Sequence, residues 1–381
     1  MCDLITNSYR QKGYVTSRAY LPPQKIEQQS LEIKVIEGVT GDLEIKGNRY
    51  FKGRLFERRI TLKKGKVFNY NLLRKNLIKI NKHPDRTARA VLMPGKEVGA
   101  TDIVLEVKDQ LPFHIDLHWD NFGSRYTEKN HYRTTLIHNN FLGRDDILTL
   151  QYQIGEADTY RLTGLRYILS LLQNLHLGFF ILRTKSDLGR EYKDLDVRGK
   201  TKSYSLYLTQ FLIEEDTVFS LNLGFEYKDI FNFQLGNEIS RDRLRILKLG
   251  LDLDTLDLFG RTILTFELDL GIPKIMAGLK KRDARASRNG SGGKFSKSTI
   301  NILRLQKMPF NSQLLWKNQI QISPYILPAA EQFQIGGISN VRGYPPGEYT
   351  GDKGYATTIE WLFPFYFIPQ RINFFIKNKT L

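Results

Sequence analysis

Residues 219–228 read FSLNLGFEYK, and residues 247–254 read LKLGLDLD. In both stretches apolar residues occupy every second position, and polar, charged or glycine residues fill the positions between them. Successive side chains of a β-strand point to opposite faces of the sheet, so this period of two predicts strands with one apolar and one polar face. The same alternation recurs in residues 113–120, 148–154 and 264–270. It predicts a mainly β, antiparallel fold for most of the chain.

Three features of these strands favour a barrel that spans a membrane over a soluble β-fold, which also alternates. The segments reach about ten residues, the length that a tilted strand needs to cross a bilayer. Connections alternate between a tight turn at 214–216 and long loops at 188–199 and 274–294. The third feature is a set of aromatic residues near strand ends, which fits girdles at the lipid–water interfaces: Trp119, Tyr160, Phe179, Phe180, Tyr227, Phe231, Phe233, Trp361 and Phe363.

Composition narrows the possible classes of protein. Charged residues make up 25% and hydrophobic residues 41% of the chain, so its composition is not that of a disordered protein. The sequence has no uncharged apolar run of the roughly 18–20 residues that a spanning helix needs, so a membrane crossing requires a closed barrel. The single cysteine, Cys2, excludes an internal disulfide framework and a cysteine zinc site. Residues 1–5 lack the pattern of a signal peptide.

The positive charge is unevenly distributed. The formal net charge is +17, and residues 1–110 carry 22 basic against 12 acidic residues, a net of +10. Residues 273–298 add eight basic residues and one acidic residue. Such a balance fits nucleic acid, anionic lipid, an acidic partner or a solvated basic surface.

The first 110 residues mix two periods. Asn69 is predicted to cap a helix whose apolar stripe is Tyr70, Leu73, Leu77 and Ile80. Short strands are predicted around this helix, with glycine and Pro-Gly breaks between them, at residues 31–37, 43–46, 88–93 and 102–107. The pattern predicts small α+β modules before the sheet.

The sequence contains no strong candidate for a catalytic or metal-binding group. His114, Asp116 and His118 lie on one face of a strand, but their alternation belongs to a polar wall, so we predict no metal site. The carboxylate pairs Asp145-Asp146 and Glu214-Glu215 are interpreted as solvated turn caps. Neither a phosphate-binding Gly-x-x-x-x-Gly-Lys-Ser/Thr loop nor a Gly-x-Ser-x-Gly motif occurs. We therefore expect no enzymatic activity and no cofactor.

Two strings near the C-terminus resemble a known family. Residues 336–344 read GGISNVRGY and residues 351–355 read GDKGY. They resemble the large inward-folded loop of the outer-membrane translocation and assembly superfamily, which has a Val-Arg-Gly-Tyr/Phe tip. The resemblance implies a bacterial outer-membrane β-barrel behind periplasmic polypeptide-transport-associated (POTRA) domains.

Further strings are similar to two-partner secretion transporters of the haemolysin-activator type. They lie at residues 13–24, 31–38, 81–86, 92–102, 120–123 and 140–145. The resemblance implies the C-terminal part of a first POTRA domain at 1–39, a second POTRA domain at 40–110 and the transmembrane barrel at 111–381. It covers nearly the whole chain.

The sequence also departs from the family pattern at both ends. The first POTRA domain is represented only from about its second helix. Barrels of the family have about sixteen strands, and this chain reaches about strand twelve or thirteen. Its close, residues 374–381, lacks the Phe-x-Asp-x-Gly pattern of the thirteenth strand. We therefore expect a fragment whose barrel is incomplete at the C-terminus.

The resemblance assigns roles to the loop. Arg342 would contact acidic and aromatic groups of the inner barrel wall, Gly343 would permit a tight tip, and Tyr344 would pack against the wall. A guanidinium in a lumen needs a partner, and the available carboxylate is Glu360. The whole predicted site consists of the tip Val341, Arg342, Gly343 and Tyr344, the supporting residues Gly336, Gly337, Gly351, Asp352 and Gly354, and the wall partner Glu360.

The implied partner is a secreted exoprotein with a β-helical fold, captured by β-augmentation on a POTRA domain. Basic residues of the module are candidates for docking an acidic client: Arg58, Arg59, Lys63, Arg74 and Lys75. Outer-membrane lipid is the other expected partner, and we expect a monomeric barrel that binds no nucleic acid.

Three alternative functions are also compatible with the sequence. A barrel-assembly factor of the same superfamily would carry more POTRA domains. A diffusion porin would need neither the module nor the loop. A soluble basic β-protein would bind nucleic acid in a salt-sensitive manner.

Overall fold

The computed structural model describes residues 1–24, 31–124, 126–172, 174–213 and 217–364. The turn predicted at Glu214–Asp216 and the C-terminal close at 374–381 lie outside the described residues. The chain divides into two compact units. The first contains residues 1–114 and 137–148, and the second contains residues 115–136 and the described residues from 149 onward.

The first unit is a small α+β assembly. Its strand β3 runs parallel to β5, and β4 runs antiparallel to β5, which gives the sheet order β3-β5-β4; β1 and β2 form a separate antiparallel pair. The elements are α1 Cys2–Gln11, β1 Arg18–Tyr20, β2 Lys34–Ile36, β3 Val39–Lys46, α2 Gly53–Arg59, α3 Tyr70–Asn81, β4 Arg86–Pro94 and β5 Ala100–Asp109. Within the described part of the chain, no helix is long and apolar enough to cross a membrane.

Helix α3 forms where the sequence predicts it. Asn69 accepts a hydrogen bond from the backbone N–H of Leu72 at 3.1 Å and so caps the first turn. Leu73 and Ile80 of the apolar stripe are buried in a core with Phe56 and Leu105. Helix α1 was expected only from the family resemblance, α2 was not predicted, and β2 is shorter than the strand predicted at 31–37, whose first residues are exposed.

The second region is dominated by one antiparallel sheet of twelve strands, which confirms the predicted fold class. Neighbouring strands β6 to β16 follow chain order, and β19 pairs with β16, so β6 and β19 are the edges within the described residues. The elements are β6 Phe113–Asp120, β7 His131–His138, β8 Ile147–Gly155, β9 Tyr160–Leu172, β10 Leu175–Asp187, β11 Arg198–Ile213, β12 Thr217–Gln234, β13 Asn237–Asp257, β14 Gly260–Gly271, β15 Phe295–Lys307, β16 Gln313–Ile322, β17 Phe333–Ile335, β18 Tyr349–Gly351 and β19 Gly354–Leu362, with 3₁₀ turns at Arg190–Leu195, Ile275–Ala277 and Ala329–Glu331.

The sheet buries its polar face and exposes its apolar face. On β12 and β13 the apolar residues Leu223 and Leu251 are 48% and 40% exposed, whereas Ser220 is 4% exposed. The polar face lines a cavity of about 710 Å³ that includes Lys248 and Glu267. An exposed apolar face is unfavourable in water but favourable in lipid. An apolar outer face with a polar inner face is therefore typical of a membrane sheet that surrounds a wet interior.

Candidate functional site

The predicted loop connects β16 to β19 and carries a small hairpin of its own. In this hairpin β17 pairs with β18 in antiparallel register, with Phe333 opposite Gly351 and Ile335 opposite Tyr349. The hairpin places residues 336–348, which contain the Val-Arg-Gly-Tyr tip, at its closed end. The loop therefore presents its tip from a hydrogen-bonded base.

The two glycines at the start of the tip are required by its backbone. Gly336 and Gly337 have φ values of 114° and 84°, a region that strongly favours glycine. A Cβ atom on Gly336 would lie 2.0 Å from the carbonyl oxygen of Pro345. The N–H of Gly337 donates to the carbonyl of Tyr344 at 2.9 Å and closes the tip.

Asn340 holds the tip together, although no role was assigned to it from the sequence. Its Oδ1 accepts from the backbone N–H groups of Gly336 at 2.9 Å and Val341 at 2.7 Å. Its Nδ2 donates to the carbonyl of Gln334 at 2.9 Å. The asparagine lies inside the quoted string GGISNVRGY, and an Asx residue before a glycine-rich tip was the available signal.

The structure brings Arg342 and Glu360 together. The Arg342 guanidinium donates to Glu360 Oε1 on β19, and Thr358 Oγ1 on the same face of β19 donates to the carbonyl of Asn340 at 3.3 Å. The Arg342 side chain is 62% exposed and the Glu360 side chain 31%. Tyr344 is 56% exposed, so its expected packing against the wall is not seen, because the tip contacts β19 through Arg342 and Asn340 instead.

The other predicted support residues lie at the base of the loop. Asp352 accepts from the Arg288 guanidinium and from the N–H of Leu327 at 3.0 Å, so it joins the connection 272–294 to the hairpin. Burial opposes ionisation of Asp352, but Arg288 keeps its pKa below the usual range. Gly354 lies under an aromatic ring: a Cβ there would be 2.0 Å from Phe333 Cδ1. Gly351 pairs with Phe333 in the hairpin register.

Glu331, which was not predicted, anchors the root of the loop. It is 4% exposed and accepts from Lys228 Nζ on β12 at 2.8 Å and from Lys297 Nζ on β15 at 2.7 Å. Burial raises the pKa of this carboxyl, but the two ammonium groups outweigh burial and lower the pKa to about 2. No local sequence pattern predicts this contact, because the lysines lie 103 and 34 residues away.

The basic surface proposed for docking is only partly free. Arg58, Lys63, Arg74 and Lys75 are exposed, and their docking role stays a prediction. Arg59 instead forms an ion pair with Asp145, and its side chain is 22% exposed.

The interpretation of Asp145 and Asp146 as solvated caps is wrong. The Asp145 side chain is 5% exposed and is bound by both terminal nitrogens of Arg86, one at 2.7 Å, and Arg86 is 1% exposed. Asp146 is fully buried and accepts from the N–H of Leu142 at 2.8 Å. Burial raises the pKa of Asp145, but Arg86 and Arg59 more than offset this and lower it. The error arose because Arg86 lies 59 residues away in sequence.

The histidines of β6 lie next to aspartate side chains. His114 Nε2 lies 2.7 Å from Asp85 Oδ1, in the first unit, and His118 lies 3.4 Å from Asp120. Within the part of the chain that the structure describes, no cluster of histidine, cysteine or carboxylate side chains has the arrangement of a metal site.

An antiparallel sheet with an exposed apolar face, a small α+β module and a loop that reaches the polar sheet face define a protein of the POTRA-and-barrel class. Residues 99–374 match the profile of the haemolysin secretion/activation protein family ShlB/FhaC/HecB, and residues 1–38 match the ShlB-type POTRA domain. The chain belongs to the ShlB/FhaC/HecB family.

Similar proteins and structures agree with this membership. The heme/hemopexin transporter protein HuxB of Haemophilus influenzae is 22% identical over 95% of this chain and 65% of its own length. The hemolysin transporter protein HpmB of Proteus mirabilis is 25% identical over 92% of this chain and 63% of its own length. The structure of CdiB from Escherichia coli matches with a TM-score of 0.74, 21% identity and coverage of 97% of this chain and 69% of that one. The chain spans less than two thirds of the length of the curated relatives HuxB and HpmB.

Proposed function

We propose that this chain is the translocator of a two-partner secretion system, which passes an exported exoprotein through the bacterial outer membrane. The contact between Arg342 and Glu360 on the polar face of the sheet supports the proposal, because a translocation loop would need its tip at that face. The names of the relatives, heme/hemopexin transporter and hemolysin transporter, support the same class of activity.

The first unit would capture the client in the periplasm. The edge strands of its three-stranded sheet are β3 and β4, and an extended client could add to either edge through main-chain hydrogen bonds. Arg58, Lys63, Arg74 and Lys75 would attract an acidic client. The family resemblance implies a β-helical client, whose folding outside the cell would draw the rest of the polypeptide through the pore of a single barrel.

The experiment is the substitution Arg342→Ala in the bacterium that produces this protein. Quantitative mass spectrometry of the culture medium should show at least one large exoprotein reduced and retained in the periplasm. The variant should still insert in the outer membrane, because the arginine is 62% exposed and its ion pair with Glu360 is a partly exposed one.

The matched control is Arg161→Ala, which breaks an exposed ion pair with Asp158 away from the loop. The control should secrete normally. Undiminished secretion by Arg342→Ala would remove the loop tip from the mechanism. A general fall in other outer-membrane barrels, with no exoprotein affected, would support the barrel-assembly alternative.

A further inference from the structure

Four basic residues form a compact square on the apolar face of the sheet. The register places Arg183 of β10 directly opposite Lys202 of β11, and Lys185 directly opposite Lys200. All four are exposed. Like charges directly opposite each other on one face of a sheet repel and are destabilising. A bound anion would therefore stabilise this square by reducing the repulsion between the four positive charges.

The square continues the surface that we assign to lipid. On the same face, Phe179 is opposite Leu206 and Ile181 is opposite Tyr204, so apolar pairs precede the basic pairs along β10. Tyr204 also contacts Tyr227 of β12, with ring centroids 6.0 Å apart. An apolar band, then tyrosines, then cations is the order expected when a surface passes from hydrocarbon to headgroups.

Neighbouring carboxylates do not neutralise the square. Asp187 binds Lys185 Nζ at 2.7 Å. Asp229, the register neighbour of Lys202 on β12, is bound by Arg245 at 2.8 Å and is buried. Among the residues that the structure describes, the four cations have one carboxylate, Asp187, in ion-pair contact, which leaves a net positive patch.

The patch lies at one end of the strands only. The opposite ends of β10, β11 and β12 present Leu175, Leu212 and Phe219. The first strand of the sheet, β6, starts at Phe113, and antiparallel strands alternate in direction. The fifth strand, β10, therefore runs in the same direction as β6, and its last residue, Asp187, lies at the end of the sheet opposite to Phe113. With the POTRA region in the periplasm, this remote end lies at the outer leaflet.

We propose that Arg183, Lys185, Lys200 and Lys202 bind the phosphate groups of a phosphorylated glycolipid headgroup in the outer leaflet. Opposed side chains are about 5 Å apart, and successive side chains on one face are about 7 Å apart, so a phosphate can contact several cations at once. The proposal rests on the outer-membrane location of the protein and does not depend on translocation.

The experiment titrates the full chain, purified in detergent, with diphosphorylated lipid A and follows the complex by native mass spectrometry. The variant with Arg183, Lys185, Lys200 and Lys202 all replaced by Gln should bind lipid A about tenfold or more weakly, since each cation near a lipid surface contributes about 1 kcal/mol. The control replaces the exposed residues Lys12, Lys52, Lys66 and Lys96 by Gln, removes the same charge, and should bind as the parent does. Circular dichroism checks that both variants are folded.

Three results would overturn the proposal: undiminished lipid A binding by the folded four-residue variant, equal binding of dephosphorylated lipid A, or complete displacement of lipid A by inorganic phosphate at the same concentration. A protein that binds lipid A through this patch but secretes nothing would refute the proposed function and leave the lipid site intact. Normal secretion without lipid A binding would refute the lipid site and leave the proposed function intact.

Discussion

Two arginine–carboxylate contacts of this molecule differ in their surroundings. In the first unit Asp145 meets Arg86, and the two side chains are 5% and 1% exposed. In the loop of the second unit Arg342 meets Glu360, and those side chains are 62% and 31% exposed. Water and salt screen the second contact but hardly reach the first.

This difference in exposure allows effects on stability to be distinguished from effects on function. Breaking a buried pair leaves an unsolvated charge and destabilises the fold, whereas breaking an exposed pair exposes groups that water already solvates. Any strong effect of Arg342 on secretion must therefore come from what the loop tip does, and any strong effect of Asp145 from the integrity of the first unit. Substitutions at Asp145, Glu331 and Arg342 test this division.

Asp145→Ala should destabilise the first unit by about 3–5 kcal/mol, because it leaves Arg86 buried without its carboxylate and releases Arg59. Hydrogen–deuterium exchange of peptides from β3, β4 and β5 would measure the local free energy of unfolding. The control is Asp158→Ala, since the Asp158–Arg161 pair is exposed. Unchanged protection of β4 in Asp145→Ala would show that the buried pair is not needed for stability.

Glu331→Gln should come next, with a loss of about 3 kcal/mol at the root of the loop. Lys228 would lose its carboxylate, but Lys297 would keep Asp269 at 3.0 Å, so the loss should be smaller than for Asp145. Limited proteolysis of residues 329–348 in detergent would measure the change. The ion pairs of Glu331 at the root of the loop are buried, like the Asp145–Arg86 pair of the first unit. The Arg342–Glu360 pair at the tip is exposed. Equal protease resistance of parent and variant would contradict this prediction.

The first unit should also lose stability as the pH falls from neutrality. Burial lowers the pKa of His83 below its ordinary value of 6.5, and it outweighs the hydrogen bond from Nε2 to the carbonyl of Asn139 at 2.9 Å, which favours the protonated ring. Nδ1 accepts from the N–H of Asp85 at 3.1 Å, so the folded structure suits the neutral ring. The unfolded chain takes up this proton more readily than the folded chain. The contribution of neutral His83 to the free energy of unfolding is therefore fully present above about pH 6.5. It is lost as the pH falls from about 6.5 to the lowered pKa of the folded state.

A second loss should begin below about 3.8, where the carboxylate of Asp145, whose folded pKa is lowered, becomes protonated first in the unfolded chain. Urea unfolding of the first unit, followed by hydrogen exchange at several pH values, would show both steps. His83→Gln should remove the upper step and leave the lower one. His118→Gln, at a half-exposed histidine, should change neither. Persistence of the upper step in His83→Gln would assign it to another group.

How far the sequence predicts the molecule depends on the distance between interacting residues. The alternation of β12 and β13 and the cap at Asn69 are local patterns, so the strands and α3 could be predicted from neighbouring residues alone. Helix α2 was missed because Gly53–Arg59 is short and has no side-chain cap. A seven-residue helix depends mainly on packing, here of Leu55 and Phe56, which local sequence does not show.

The candidate site divides in the same way. The glycines, Arg342 and Asp352 lie in contiguous motifs, so resemblance was enough to select them, although their roles stay predictions. Glu331 could not be found in this way, because its partners come from distant strands. Asp145 was misinterpreted for the same reason: next to Asp146 and Gly143 it has the local pattern of a solvated turn.

The smallest thermodynamic effect should come from Arg342→Ala, with a change in the free energy of unfolding of about 1 kcal/mol or less. Urea unfolding of parent and variant in the same detergent would measure it, with Arg161→Ala as the control for loss of an exposed pair. Arg342→Lys keeps the charge but loses the planar fork that suits a carboxylate, so it should match the parent in stability while secreting less. A fall in stability as large as that of Asp145→Ala would mean that Arg342 holds the sheet together, and its effect on secretion would then need no role in transport. A small change in stability combined with lost secretion assigns the loop tip to the passage of the client.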